Sequence, residues 1–175
     1  MILFTLDRAN SLQSGSHLNL IKEKISHPDF ENYLLGLFPE GLSNQGMKYF
    51  HSSRSKITNR ESAIEYELEL YRRAFFPKKP SRFISLFACR SMCDCLLFRE
   101  MYGDPRNQIY KFEADESSIH IGDMNLLQTN DSVLSFSQHL DLYWRGETLP
   151  EYIEGYTPFF EVLAPLPIKI EKVEY

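Results

Sequence analysis

Apolar positions crowd the start of the chain, Ile2-Leu3-Phe4-Thr5-Leu6, then give way to Asp7-Arg8, so the run reads as a first strand. From about residue 9 onward, Gly15, Pro28, Gly36, Pro39, Gly41 and Gly46 break any period, and Phe38 to Ser43 reads as an ordered turn within an irregular region. The polar stretch 51–59 reads as an exposed loop. A helical period returns after Thr58-x-x-Glu61, a capping-box pattern. Ile64, Leu68, Tyr71 and Phe75 then share one face, which predicts a helix running to about Phe76 and stopping at Pro77. After the basic turn Lys78-Lys79-Pro80, Arg82 to Ala88 reads as a strand. Ser91 with Asp94 caps a second helix, whose stripe is Cys93, Leu96, Leu97 and Met101, ending near Gly103. Gln108 to Glu113 alternates as a strand, and Asp123 to Leu127 reads as a turn. Phe136, Leu140, Tyr143 and Trp144 mark a third helix closed by Gly146. Phe159 to Ala164 and Pro167 to Ile170 read as two closing strands. Strands interrupted by helices, without a regular βαβ rhythm, predict an α+β fold with helices packed on a mainly antiparallel or mixed sheet. The whole chain, 1–175, is expected to form one domain with an irregular helical and loop insertion at about 9–80.

Composition narrows the class. With 175 residues, 43% hydrophobic and 14% aromatic, the chain can bury a sizeable core, which excludes global disorder. No apolar run approaches the roughly 20 residues that span a bilayer. The N-terminus lacks the basic lead-in and cleavage-like site of a signal peptide. A cytoplasmic location with no membrane partner is expected. Cys89, Cys93 and Cys95 are odd in number and spaced C-x3-C-x-C, which suits neither a zinc knuckle nor a disulfide framework, so they read as reduced core residues. The net charge of −5 hides an asymmetry: residues 48–82 hold nine Lys/Arg against four Glu, and the remainder is acidic. Such a segment reads either as a solvated helix face or as a surface that meets an anion.

The common catalytic signatures are missing: no phosphate loop, no G-x-G-x-x-G, no H-E-x-x-H and no G-x-S-x-G. The five histidines are scattered. His120-x-x-Asp123 offers two metal ligands where a site needs more, so no metal is expected. Nothing marks Cys89 as a nucleophile. One feature stands out. Glu161 is a lone carboxylate within the apolar strand Phe159 to Ala164, and such a residue points either to solvent on an edge or into a cleft where it does chemistry.

Three elements carry candidate chemistry: a first strand with Thr5, Asp7 and Arg8; a middle segment with Arg82, Ser85 and Phe87; and the late strand with Glu161. Their order and content resemble the ADP-ribosyltransferase fold. The stretches Phe4 to Arg8, Phe38 to Ser43, Ser81 to Ala88 and Tyr143 to Glu147 are similar to a little-characterised bacterial domain family that itself resembles toxin-type ADP-ribosyltransferases. The likeness spans most of the chain. The chain departs from the better-known pattern at three points. Thr5 stands where many members have His, Ser85 stands alone instead of a Ser-Thr-Ser run, and Phe159 stands where a second polar residue would precede the catalytic Glu.

The resemblance implies an ADP-ribosyltransferase-like sheet core and an enzyme that uses NAD as substrate, moving ADP-ribose to a macromolecule. Nucleic acid, RNA included, is favoured over protein as acceptor. It implies a toxin of a toxin–antitoxin or antiviral defence system held by an inhibitor protein. Breaking the nicotinamide–ribose bond builds positive charge on the ribose, and a carboxylate stabilises that charge most where water is excluded. On this reading Glu161 is the catalytic carboxylate and Arg8 acts with it, gripping the NAD phosphates. Thr5, Ser85, Arg82 and Phe87 shape the cofactor pocket, with Tyr110 a further aromatic candidate. Glu147 is the rival carboxylate. The alternatives are a non-catalytic binding module that kept the fold, and an NAD glycohydrolase.

Overall fold

The computed structural model describes residues 1–51, 59–128 and 132–174. The Thr58 cap and most of the 51–59 stretch lie outside the described residues. The element order is β1 (Ile2–Leu6), β2 (His17–Leu18), α1 (Pro28–Leu37), α2 (Asn44–Gly46), α3 (Asn59–Phe75), β3 (Ser85–Ala88), α4 (Met92–Tyr102), β4 (Ile109–Glu113), β5 (His120–Asp123), α5 (Val133–Arg145), β6 (Phe160–Pro165), β7 (Ile168–Lys169) and β8 (Glu171–Lys172). α2 runs on into a wider π-type turn over Met47–His51. No helix among the described residues is long and apolar enough to cross a membrane.

The chain is α+β, but its strands do not form the ADP-ribosyltransferase-like mixed or antiparallel sheet core that the resemblance implies. They form three small open sheets, ordered β1-β4-β8, β2-β7 and β3-β6-β5, and every pairing is antiparallel. The physical reason is a seam. β1 meets β3's end through one isolated bridge, in which Phe4 and Cys89 exchange backbone hydrogen bonds of 3.0 and 2.7 Å. Beyond that bridge no ladder forms between these strands. Thr5 instead spends its side chain there, donating from Oγ1 to the Phe87 carbonyl at 2.7 Å.

Local signals account for most elements. Ser91 accepts from the Asp94 N–H and donates to its carboxylate, which closes the first turn of α4. Gly146 takes φ 78° after α5, a left-handed turn that suits a residue without Cβ. α3 stops at Phe75, just before Pro77. Other expectations fail in instructive ways. Arg82–Ile84 form a 3-10 turn, because Ser81 caps the Phe83 N–H, so the strand begins only at Ser85. On α4 only Leu96 of the expected stripe packs inward: Cys93, Leu97 and Met101 are exposed, while Cys95 is buried and Met92 and Phe98 pack inward. On α3 Leu68 is buried but Phe75 is 66% exposed, and Phe76 packs in its place. α1, α2, β2, β5 and β8 have no individually expected counterpart.

The layer that matters for the site is α5 against sheet β3-β6-β5. Leu140, Tyr143 and Trp144 pack on Leu163, Leu126 and Leu68, and the Trp144 indole donates to the Leu68 carbonyl at 3.1 Å, tying α5 to α3. Asp123, at the end of β5, is fully buried. It accepts from the Phe159 and Asn125 N–H groups and from the Thr148 and Tyr156 hydroxyls, which fastens the 147–159 loop to the start of β6. His120 stacks on Trp144 with centroids 4.9 Å apart, and its Nε2 lies 2.9 Å from the Tyr143 carbonyl, so Nε2 carries the proton.

Burial, with Lys79 nearby, lowers the His120 pKa to about 4, against a partial opposing effect from the Tyr143 carbonyl. A folded-state pKa below the unfolded value means that the unfolded chain binds the extra proton between about pH 6.5 and 4. The contribution is therefore full above pH 6.5 and lost as pH falls through that window, up to about 3 kcal/mol. Urea unfolding should show midpoints falling across this range in the wild type and falling less in His120→Gln. Parallel pH profiles for the two proteins would contradict this account.

Candidate functional site

Glu161 sits on β6, the middle strand of its sheet, paired with β3 on one side and β5 on the other. The solvent-facing edge position is thereby excluded, and the residue is 7% exposed. Its side chain lines a cavity of about 490 Å³ that opens along the seam between β1 and β3. Thr5, Arg8, Ser85 and Phe87 line the same cavity, so the structure brings together five of the six residues expected to act in catalysis or to shape the cofactor pocket. Phe98 and Phe159 add an aromatic wall, and Asn19, Asn44 and Gln45 supply amides.

The sixth residue, Arg82, lies behind the wall. It is 5% exposed and forks onto Glu65, with Nε to Oε2 at 2.7 Å and Nη2 to Oε1 at 2.8 Å. Its Nη1 donates to both the Tyr143 hydroxyl and Glu161 Oε1. The guanidinium lies 4.5 Å from the centroid of the Phe87 ring. Tyr143 in turn donates to Glu161 Oε1 at 2.9 Å. Both bonds to Glu161 therefore land on Oε1, and Oε2 accepts no hydrogen bond among the described residues. Burial opposes the charge on Arg82, yet Glu161 and Glu65 hold its pKa well above the ordinary value, so it stays a cation. Burial, with Glu161 beside it, raises the Tyr143 pKa and keeps the phenol protonated as a donor.

Gly122 makes this arrangement possible. It stands opposite Glu161 in the β5–β6 ladder, and a Cβ there would lie 2.5 Å from Cε2 of the Tyr143 ring. The missing side chain is the space that Tyr143 crosses to reach Glu161.

The remaining predicted residues have defined places. Thr5 and Ser85 are buried, and their hydroxyls donate to backbone carbonyls, of Phe87 and Ser81 respectively. Arg8 is exposed at the cavity, 6.0 Å from the Phe98 centroid, and makes no ion pair with Asp7. Asp7 is engaged by the Ser11 and Leu12 N–H groups, which set the turn after β1. Tyr110 belongs to the core, not the cavity, and bonds the Leu12 carbonyl. Glu147 is exposed after α5, outside the cavity. Cys89 also lines the cavity, but its hydrogen bond with Cys95 and its burial push its pKa far up, which leaves a poor nucleophile. No group of three or more His, Cys, Asp or Glu is placed to hold a metal among the described residues.

Sequence reasoning missed Glu65, Tyr143 and Gly122. A weak signal existed for the first: Glu65 and Glu69, four apart, flank Leu68 on the buried side of α3. Glu69 accepts from Arg72, Arg73 and the Ser81 hydroxyl, and these bonds lower its pKa despite its burial. Much of the positive charge of residues 48–82 is thus consumed internally, by Glu69 on Arg72 and Arg73 and by Glu65 and Glu161 on Arg82.

Replacing Arg82 with Met would leave two buried carboxylates uncompensated and should cost about 3–5 kcal/mol of unfolding free energy. The double variant with Glu161→Gln should recover part of that loss; independent, additive effects in denaturant titrations would show that the pair is not coupled. Gly122→Ala should destabilise by about 1–3 kcal/mol through collision with Tyr143, read as a lowered Tm.

No curated protein matches the chain. A family match covers residues 5–170, and its description assigns no activity. The terms transferase, ADP-ribosyltransferase, NAD and toxin, with the toxin–antitoxin and antiviral roles, contrary to expectation find no support in the family or in the three-sheet fold. Because that match spans nearly the whole sequence, the chain belongs to the family described as "Protein of unknown function (DUF2441)".

Proposed function

We propose that the seam cavity binds NAD and that Glu161 assists cleavage of its nicotinamide–ribose bond, the ADP-ribosyl group passing to an acceptor, a macromolecule in the favoured case. The observation that carries this reading is a buried carboxylate on a central strand, held at one oxygen by Arg82 and Tyr143 and lining a cavity with an exposed arginine. In the reaction the C1′–N bond breaks, its electron pair neutralises the pyridinium of nicotinamide, and positive charge develops on the ribose. On this reading the Glu161 carboxylate accepts a hydrogen bond from a ribose hydroxyl and offsets that charge. An acceptor lone pair then forms the new bond to C1′, and its proton passes to the carboxylate or to water. Arg8 supplies a charge-assisted contact for the pyrophosphate, and Phe98 and Phe159 offer faces for a ring.

A second reading is a binding module without turnover. It is favoured by Arg82, whose charge compensates Glu161, and by the Thr5 and Ser85 hydroxyls, both already committed to backbone carbonyls.

Nicotinamide release and transfer of adenine-labelled NAD onto lysate macromolecules distinguish the two. Glu161→Gln is expected to lower release by about 10²–10³-fold, the scale on which preorganised electrostatic groups act. NAD binding, measured calorimetrically on the same variant, should persist. Binding without release by the folded wild type would establish the module, and absence of both would remove NAD from the reading.

A further inference from the structure

A second cleft, of about 510 Å³, lies across the sheet from Glu161. Phe160 and Glu161 are consecutive in β6 and point to opposite faces, and Phe160 lines this cleft while Glu161 lines the first. Three cations from three separate elements border it: Lys79 from the turn after α3, Arg90 from the link between β3 and α4, and Arg145 from the last turn of α5. Among the described residues Glu116 is the one carboxylate along its wall. Arg145 is paired with Asp141 at 2.7 Å, whereas Lys79 and Arg90 make no ion pair among the described residues. A cationic cleft in a chain of net charge −5 runs against its surroundings.

We infer that this cleft binds single-stranded nucleic acid. Three cations from separate elements on one cleft offer contacts to more than one phosphate. The half-buried Phe160 ring offers a face on which an unpaired base stacks. Guanidinium forks suit phosphate oxygens, and the flat ring favours a base over the side chains of an acidic peptide. The inference rests on the charge and shape of this cleft and stands whether or not the first cavity takes NAD. It also relocates the anion-meeting surface. Of the basic segment 48–82, Lys79 serves here, together with two arginines from outside it.

The experiment is fluorescence anisotropy of a short labelled oligouridylate titrated with the intact protein, without NAD, over a series of salt concentrations. Lys79→Glu/Arg90→Glu should weaken binding at least about tenfold and reduce the log–log salt slope by about 1.4, the loss of two contacts to a single strand. Phe160→Ala should weaken binding about fivefold or more with the slope unchanged. Lys24→Glu/Lys172→Glu, which reverses two exposed lysines outside the cleft, should behave as wild type. Circular dichroism melts would show that each variant folds. An equal loss in the control pair, an unchanged slope in the cleft pair, no binding by the wild type, or tighter binding to labelled polyglutamate would each overturn the inference.

Discussion

The structure turns on one buried guanidinium. Removing Arg82 from water costs several kcal/mol, and that cost is tolerable only where its donors are matched by opposing charge and hydrogen-bond acceptors. Glu65 takes the fork, Glu161 and the Tyr143 hydroxyl take the third nitrogen, and the Phe87 ring lies against the guanidinium. These partners come from α3, β6, α5 and β3, and Arg82 itself from a short 3-10 turn. One charge centre therefore ties together the helices and the sheet, and a shift in any of these elements is felt at Glu161.

The same centre sets the chemical character of the cavity. Glu161 is not a free carboxylate in an apolar strand: its Oε1 belongs to a charge-compensated cluster with Arg82 and Tyr143. The cavity exists because the two three-stranded sheets meet at the single Phe4–Cys89 bridge and then stop pairing. Side chains take over where the ladder ends. Thr5 satisfies the Phe87 carbonyl at the seam, and Ser85 bonds the Ser81 carbonyl at the 3-10 turn that leads into β3. This is how three small sheets, and not one continuous sheet, place residues 5, 85 and 161 around a common space.

Charge follows a similar logic on a larger scale. A segment that carries nine of the chain's nineteen Lys/Arg presents less of that charge, because Glu65 and Glu69 are folded back onto Arg72, Arg73 and Arg82. Lys79 escapes this neutralisation and meets Arg90 and Arg145, residues distant from it in sequence. Linear charge counts register composition along the chain, whereas fields are made by groups adjacent in space.

Local chemistry alone determined much of the framework. The caps at Ser91 and Gly146, the stop before Pro77, the alternation of Ile109–Glu113 and the apolar run around Glu161 each depend on neighbours within a turn or two, so they were legible from residue order. The α+β class followed from them, as did the choice of Glu161, because a carboxylate in such a run is costly without a reason. What the tertiary structure decided depends on contacts between residues far apart in sequence. These include the division into three antiparallel sheets, the inward faces of α3 and α4, the 3-10 turn that moves Arg82 off the strand, and the alliance of Arg82 with Glu65 and Tyr143. Gly122 shows why: its role exists only because a ring from α5 crosses the place where its side chain would be, and nothing in its own sequence neighbourhood encodes that ring.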